Sequence, residues 1–167
     1  MLTVISDTHS TDGHRLRGRT LKAVRTAEVV VHLGDFMTES VLDAVEAEAN
    51  TLRGVYGNND DSAIRDRLPK ARTVEYEGVR FALTHTVRGG NTALTLFGKQ
   101  READAVLFGH SHRPTVDLAG ELPLLNPGSH AQPRGNRPGH MEIEPVAGGL
   151  QGRLVTPDGN VFETFEL

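Results

Sequence analysis

Hydrophobic positions fall into short β-branched runs separated by helical spacings, and each run gives way to a polar cluster. Met1 to Ile5 reads as a strand that ends at Ser6-Asp7-Thr8-His9. The polar stretch Ser10 to Arg15 leads into Leu16, Leu21 and Val24, spaced for the inner face of a helix ending near Thr26. Val29, Val30, Val31 and Leu33 form a second run, apolar on both faces as in a central parallel strand, and it stops at Gly34-Asp35. Ser40, Val41, Leu42, Val45 and Ala49 predict another amphipathic helix, with Thr38 as its cap and Glu39 in its first turn. Leu52 to Tyr56 predicts a strand ending at Gly57-Asn58-Asn59-Asp60, and Ser62 to Leu68 a brief helix closed by Pro69.

Thr73 to Tyr76 and Val79 to Leu83 flank Glu77-Gly78 as a hairpin whose second strand ends at Thr84-His85. After the flexible Gly89-Gly90, Asn91 is expected to cap a helix carrying Leu94, Leu96 and Phe97. Ala105 to Phe108 is a strand ending at Gly109-His110-Ser111-His112. From Thr115 the pattern changes to short runs between Gly, Pro, Asn and Asp turns: Thr115 to Leu118, Leu122 to Leu125, His140 to Pro145, Gly152 to Thr156 and Val161 to Phe165. These read as antiparallel strands. No linker or repeat divides the chain, so residues 1–167 are expected to form one α/β domain of two sheets packed face to face, with helices outside.

Composition narrows the chemistry. There is no cysteine, which excludes a thiolate nucleophile, an iron–sulfur cluster and a disulfide framework, so a metal would have to be held by His, Asp, Glu or Asn. The net charge of -4 argues against an extended nucleic-acid surface. No basic leader and no long apolar run precede the first strand, so no membrane span is expected and the protein is expected to be soluble and cytoplasmic.

Five predicted segments each end in a metal-capable group: Asp7 and His9, Asp35, Asn58, His85, and His110 with His112. Singly, each has an ordinary explanation as a helix cap, a turn residue or a solvated imidazole. Jointly they are harder to explain that way, because ligands collect outside the carboxyl ends of strands in an α/β sheet. The ordered blocks Ser6-Asp7-Thr8-His9, Gly34-Asp35, Gly57-Asn58-Asn59-Asp60, Thr84-His85 and Gly109-His110-Ser111-His112 resemble the calcineurin-like metallophosphoesterase superfamily. Asn126-Pro127-Gly128-Ser129 with Pro133-Arg134 is similar to its compact phosphodiesterase branch, which also includes the retromer scaffold subunit.

The resemblance implies a four-layer α/β/β/α sandwich with two mixed sheets and a metal site at one edge. It implies that Asp7, His9 and His112 hold one metal, that Asn58, His85 and His110 hold a second, and that Asp35 bridges them. The cofactors are then two divalent ions, Mn first, with Ni, Fe, Co or Zn as alternatives, since a mixed imidazole, carboxylate and amide set suits these better than Mg. A hydroxide bridging the ions would attack phosphorus in line with the leaving oxygen, with Asp35 and Asn58 catalytic through the ions they hold. The expected activity is hydrolysis of small organic or nucleotide-type phosphodiesters, with metal occupancy and activity falling together below about pH 6 as the histidines protonate.

Asn59 stands where many larger relatives have a His; an amide cannot supply a proton, which favours diesters with good leaving groups. Asn59, Arg88 and Ser129 are candidate substrate contacts, and Asp60 and Asn126 candidate supports behind the ligands. His14, His32, His130 and His140 are assigned no role, and Asp12, Glu39 and the acids from Asp43 to Glu48 read as solvated faces. The alternative function is a non-catalytic scaffold of the same fold that binds protein partners. All seven expected ligand positions are filled, which favours the enzyme. Self-association is left open.

Overall fold

The structure is a computed structural model that describes residues 1–167. The first half alternates strand and helix: β1 (Leu2–Ile5), α1 (Gly18–Thr26), β2 (Val29–His32), α2 (Glu39–Glu48), β3 (Leu52–Gly54) and α3 (Ser62–Arg67). There follow β4 (Ala71–Tyr76), β5 (Val79–Thr84), α4 (Gly90–Lys99), β6 (Ala105–Phe108), β7 (Thr115–Asp117), β8 (Leu124–Asn126), β9 (His140–Val146), β10 (Gly149–Val155) and β11 (Val161–Glu166).

Two mixed sheets result, in the orders β11-β10-β9-β1-β2-β3 and β4-β5-β6-β8-β7. Leu2, Val4, Val31 and Leu33 of the first meet Phe81, Leu83, Leu107 and Leu125 of the second in one 17-residue apolar cluster. On the outer face of the first sheet, Ile5 and Val30 pack under Val24 of α1 and Val41, Leu42 and Val45 of α2. Leu94 and Phe97 of α4 cover Ala82 and Val106 of the second. The layers run α/β/β/α, as the resemblance implied.

Three local expectations need correction. Thr38 precedes α2 but makes no side-chain cap; Asp61 Oδ2 accepts the Glu39 N–H at 3.2 Å, while its Oδ1 caps α3 through the Ile64 N–H at 2.9 Å. Gly89, at φ 112°, takes the N-cap place expected of Asn91, whose amide instead donates to Asp117 Oδ2 at 2.9 Å. The late strands are not all antiparallel: β8 runs parallel to β6, so Asn126 emerges at the same edge as His110. The Glu77-Gly78 turn has both residues at positive φ (50° and 81°), matching the twist of β4 and β5. No helix is long and apolar enough to cross a membrane.

Candidate metal centre

Parallel strands β1 and β2 end side by side, and their following loops are tied together: Asp7 N–H donates to Gly34 O and His9 N–H to Asp35 O, each at 3.0 Å. The edge demands unusual backbone. Asp7 (φ 56°), His9 (44°), Asp35 (59°), His110 (71°) and His112 (57°) all lie in the left-handed region, sparsely populated for residues with a Cβ. Such strain persists only where surrounding structure over-determines it, and here five of the seven expected ligands carry it.

Seven side chains from five segments converge. Asp35 Oδ2 lies 3.1 Å from His9 Nε2 and 3.4 Å from His85 Nε2, between two groups of donors. On one side, Asp7 Oδ1 is 3.7 Å from His9 Nε2 and 3.4 Å from His112 Nε2. On the other, Asn58 Oδ1 is 3.0 Å from both His85 Nε2 and His110 Nδ1, which are 3.3 Å apart. Ligands about 2.1 Å from one ion stand roughly 3.0 to 3.4 Å from each other in octahedral or tetrahedral geometry. All the spacings but the 3.7 Å between Asp7 Oδ1 and His9 Nε2 fall in that range. Two groups, Asp7 with His9 and His112, and Asp7 with Asp35 and His85, could each hold a metal ion.

Unmatched polar atoms sharpen the fit. Asp7 Oδ1, His9 Nε2 and His112 Nε2 are buried without a hydrogen-bond partner, an arrangement that costs stability unless something else meets them. The imidazoles are also oriented from behind. His85 Nδ1 donates to Leu33 O at 2.7 Å and His112 Nδ1 donates to Gln132 O, so both Nε2 lone pairs face the carboxylates. Asp7 Oδ2 is engaged by Ser6 Oγ at 2.6 Å and by the His110 N–H at 3.0 Å, leaving Oδ1 for a cation.

The carboxylates stabilise positive charge here. Burial pulls the His9 imidazole down, but Asp35 and Asp7 more than offset this and raise its pKa to about 9. His85 shows the same contest, burial against Asp35, and is raised. Burial pushes the Asp35 carboxyl up, yet His85 and His9 hold it far below the usual carboxylate range. Burial dominates at His112 and lowers it. A divalent ion among these atoms would meet the same cation-favouring field.

Two glycines make the approach possible. A Cβ on Gly57 would stand 2.1 Å from Asp35 Oδ1, and one on Gly109 would stand 2.2 Å from Ser6 Oγ and 3.0 Å from Asp7 Oδ2. Asp60 ties the turns together: its Oδ2 accepts the N–H groups of Gly57 (2.7 Å) and Asp35 (3.0 Å), and its Oδ1 that of Met37 (2.8 Å). Asn126 donates to Gly109 O at 2.9 Å and accepts the Gly128 N–H at 2.8 Å, bracing the loop that carries His110.

Ser129, expected to contact substrate, is fully buried instead; its hydroxyl donates to Asp7 O at 2.7 Å and accepts the Gln132 N–H at 2.8 Å. The Asn59 amide is likewise turned inward, donating to Asp35 Oδ2 at 2.7 Å. Arg88 is exposed and lines a cavity beside Asn58 and His85. Two histidines assigned no role support the site from beneath. Gly34 N–H donates to His32 Nδ1 at 3.1 Å, so His32 Nε2 donates to Thr8 Oγ1 at 2.9 Å, and that hydroxyl can donate to His130 Nε2 at 3.1 Å. Thr8, between Asp7 and His9, is thus held on both sides.

A profile of the calcineurin-like phosphoesterase superfamily domain matches residues 1–146. The chain is 32% identical over 147 residues to a probable metallophosphoesterase of Methanothermobacter thermautotrophicus, covering 86% of this chain and 84% of that protein. It is 24% identical over 136 residues to a phosphodiesterase of Methanocaldococcus jannaschii, covering 75% and 81%. The fold matches that of wild-type Vps29 of Entamoeba histolytica complexed with Zn, with a TM-score of 0.78, 23% identity, and coverage of 99% and 98% of the two chains. The chain belongs to the calcineurin-like phosphoesterase superfamily.

Proposed function

We propose that this protein is a binuclear metal-dependent phosphodiesterase acting on small organic or nucleotide-type phosphodiesters, its 167 residues working as one domain. One observation carries the reading: the buried, unpartnered Asp7 Oδ1, His9 Nε2 and His112 Nε2 lie beside a second donor group, Asn58, His85 and His110, with Asp35 between them. Asp7, His9 and His112 would hold one ion, Asn58, His85 and His110 the other, and Asp35 both, with Mn the preferred metal. When bound, two divalent ions supply Lewis-acid activation of water and charge stabilisation on a phosphoryl group.

The chain's own residues do the rest. Leu33 O and Gln132 O fix the tautomers of His85 and His112, and Asp60 sets the turns that present Asp35 and Asn58. Asp7, Asp35, His85 and His112 form a buried floor, while Asn58 and His110 are exposed at its rim, where a phosphate can arrive from solvent. Asn59, whose amide donates to Asp35 Oδ2, cannot supply a proton, so leaving groups that depart as stable anions are favoured.

Hydrolysis of bis(p-nitrophenyl) phosphate with Mn, with and without chelator, tests the reading. Turnover should require metal, and Asp35→Ala should lower kcat/KM at least about 10³-fold while the fold is retained, because both ions lose a ligand. Undiminished turnover in Asp35→Ala refutes it. Metal binding without turnover of any diester would favour the scaffold alternative.

A further inference from the structure

Beside Asn58 and His85 the surface opens into a cavity of about 690 Å³, a size that accepts a nucleotide-sized ligand. Its walls come from distant parts of the chain: Tyr56 and Arg65 flank the Asn58 turn, Lys70 immediately precedes β4, Arg88 follows β5, Phe97 lies in α4, and Arg101 follows α4. Four basic side chains line it and no acidic one does, in a chain of net charge -4.

None of the four cavity cations is salt-bridged to a carboxylate, a state they share with other Arg and Lys side chains such as Arg53 and Arg113; what sets the four apart is that they line one cavity. Two are nonetheless held in place. Arg65 donates through Nε to Asp60 O and through Nη2 to Asn58 O, both at 3.0 Å, with its guanidinium 5.3 Å from the Tyr56 ring centre. Arg101 donates to Phe97 O at 3.1 Å and stacks 3.8 Å from the Phe97 ring centre. Neutral carbonyls and ring faces orient both groups without cancelling their charge.

We propose that this cavity binds a second phosphate group, so that the preferred substrate is a phosphodiester carrying at least one phosphate beyond the one cleaved. The proposal rests on the phosphodiesterase reading. A phosphate dianion offers oxygens for charge-assisted bonds to guanidinium and ammonium groups that no carboxylate neutralises. A singly charged diester engages only the metal edge.

A matched pair of esters tests this: the p-nitrophenyl ester of thymidine 5′-phosphate, with and without a phosphate on the 3′ oxygen, assayed on the Mn-loaded full chain. The leaving group is the same in both. The 3′-phosphorylated ester should show kcat/KM at least tenfold higher, expressed in KM, and the double variant Lys70→Gln/Arg101→Gln should bring the ratio close to one. A ratio near one in the parent, or one that the double variant leaves unchanged, overturns the proposal. If neither ester turns over, the phosphodiesterase reading fails and calorimetric titration of thymidine 3′,5′-bisphosphate decides the cavity's role. Binding at least tenfold tighter in the parent than in the double variant supports it; equal or absent binding overturns it.

Discussion

Replacing Asp60 by Asn keeps the side chain's shape and removes one acceptor from a site that uses both. Oδ2 takes the Gly57 and Asp35 N–H groups and Oδ1 takes that of Met37, at 2.7, 3.0 and 2.8 Å. An Asn that keeps the first two bonds must turn its NH₂ toward the Met37 N–H. One charge-assisted hydrogen bond is then lost, worth about 1.5–3 kcal/mol, and two others weaken by about 0.5–1 kcal/mol each as the acceptor becomes neutral. Burial lifts the Asp60 carboxyl above its ordinary range despite these three donors, so removing the charge returns part of that loss. The net expectation is a destabilisation of about 2–3 kcal/mol. The bonds affected place Asp35 and the turn carrying Asn58, so Mn affinity should also fall about 10- to 100-fold. Urea denaturation followed by circular dichroism reads the first effect and calorimetric titration with Mn the second. An Asp60→Asn variant within about 0.5 kcal/mol of the parent, with unaltered Mn affinity, would refute the assignment of Asp60 as the brace of this edge.

Other expectations follow from the same packing. Glu142 is buried against Arg19 (2.6 Å), Arg153 (2.7 Å) and His140 (3.0 Å); burial pushes its carboxyl up, but His140, Arg19 and Arg153 hold it well below its ordinary 4.5. Its folded pKa is depressed, so the unfolded chain binds the extra proton first; the stabilisation is complete above about pH 5 and is lost as pH falls from there toward the folded value. Glu142→Gln should cost about 3 kcal/mol at pH 7 and flatten the fall in urea midpoint between about pH 5 and pH 3; an unchanged slope would contradict this. Gly109→Ala forces a methyl to within 2.2 Å of Ser6 Oγ, and should abolish tight Mn binding while circular dichroism reports the sheets intact; retained affinity would show that the loop moves freely.

The order of strands and helices was legible in the hydrophobic runs, and the edge where the seven side chains converge in the polar blocks that end them. The reason is physical: β1, β2, β5 and β6 are short apolar runs whose ends need turns, and Asp7, Asp35, His85 and the His110–His112 pair sit at those ends. Features made by long-range packing were hidden. His130 meets Thr8 across 122 positions, and His32 stacks on Phe36 at 3.5 Å, yet an isolated imidazole reads the same in sequence whether buried or solvated. Ser129 is a candidate substrate contact by sequence, but only the fold shows that its hydroxyl is consumed by Asp7 O. The cations Arg65, Lys70, Arg88 and Arg101 show no shared motif and come to line one cavity only in the folded chain.

Whether two ions share one edge can be read from anomalous diffraction of crystals soaked in Mn. Two peaks about 3.5–4 Å apart are expected, one among Asp7, His9 and His112, the other among Asn58, His85 and His110, with Asp35 touching both. A single peak elsewhere, or none at these side chains, would contradict this expectation.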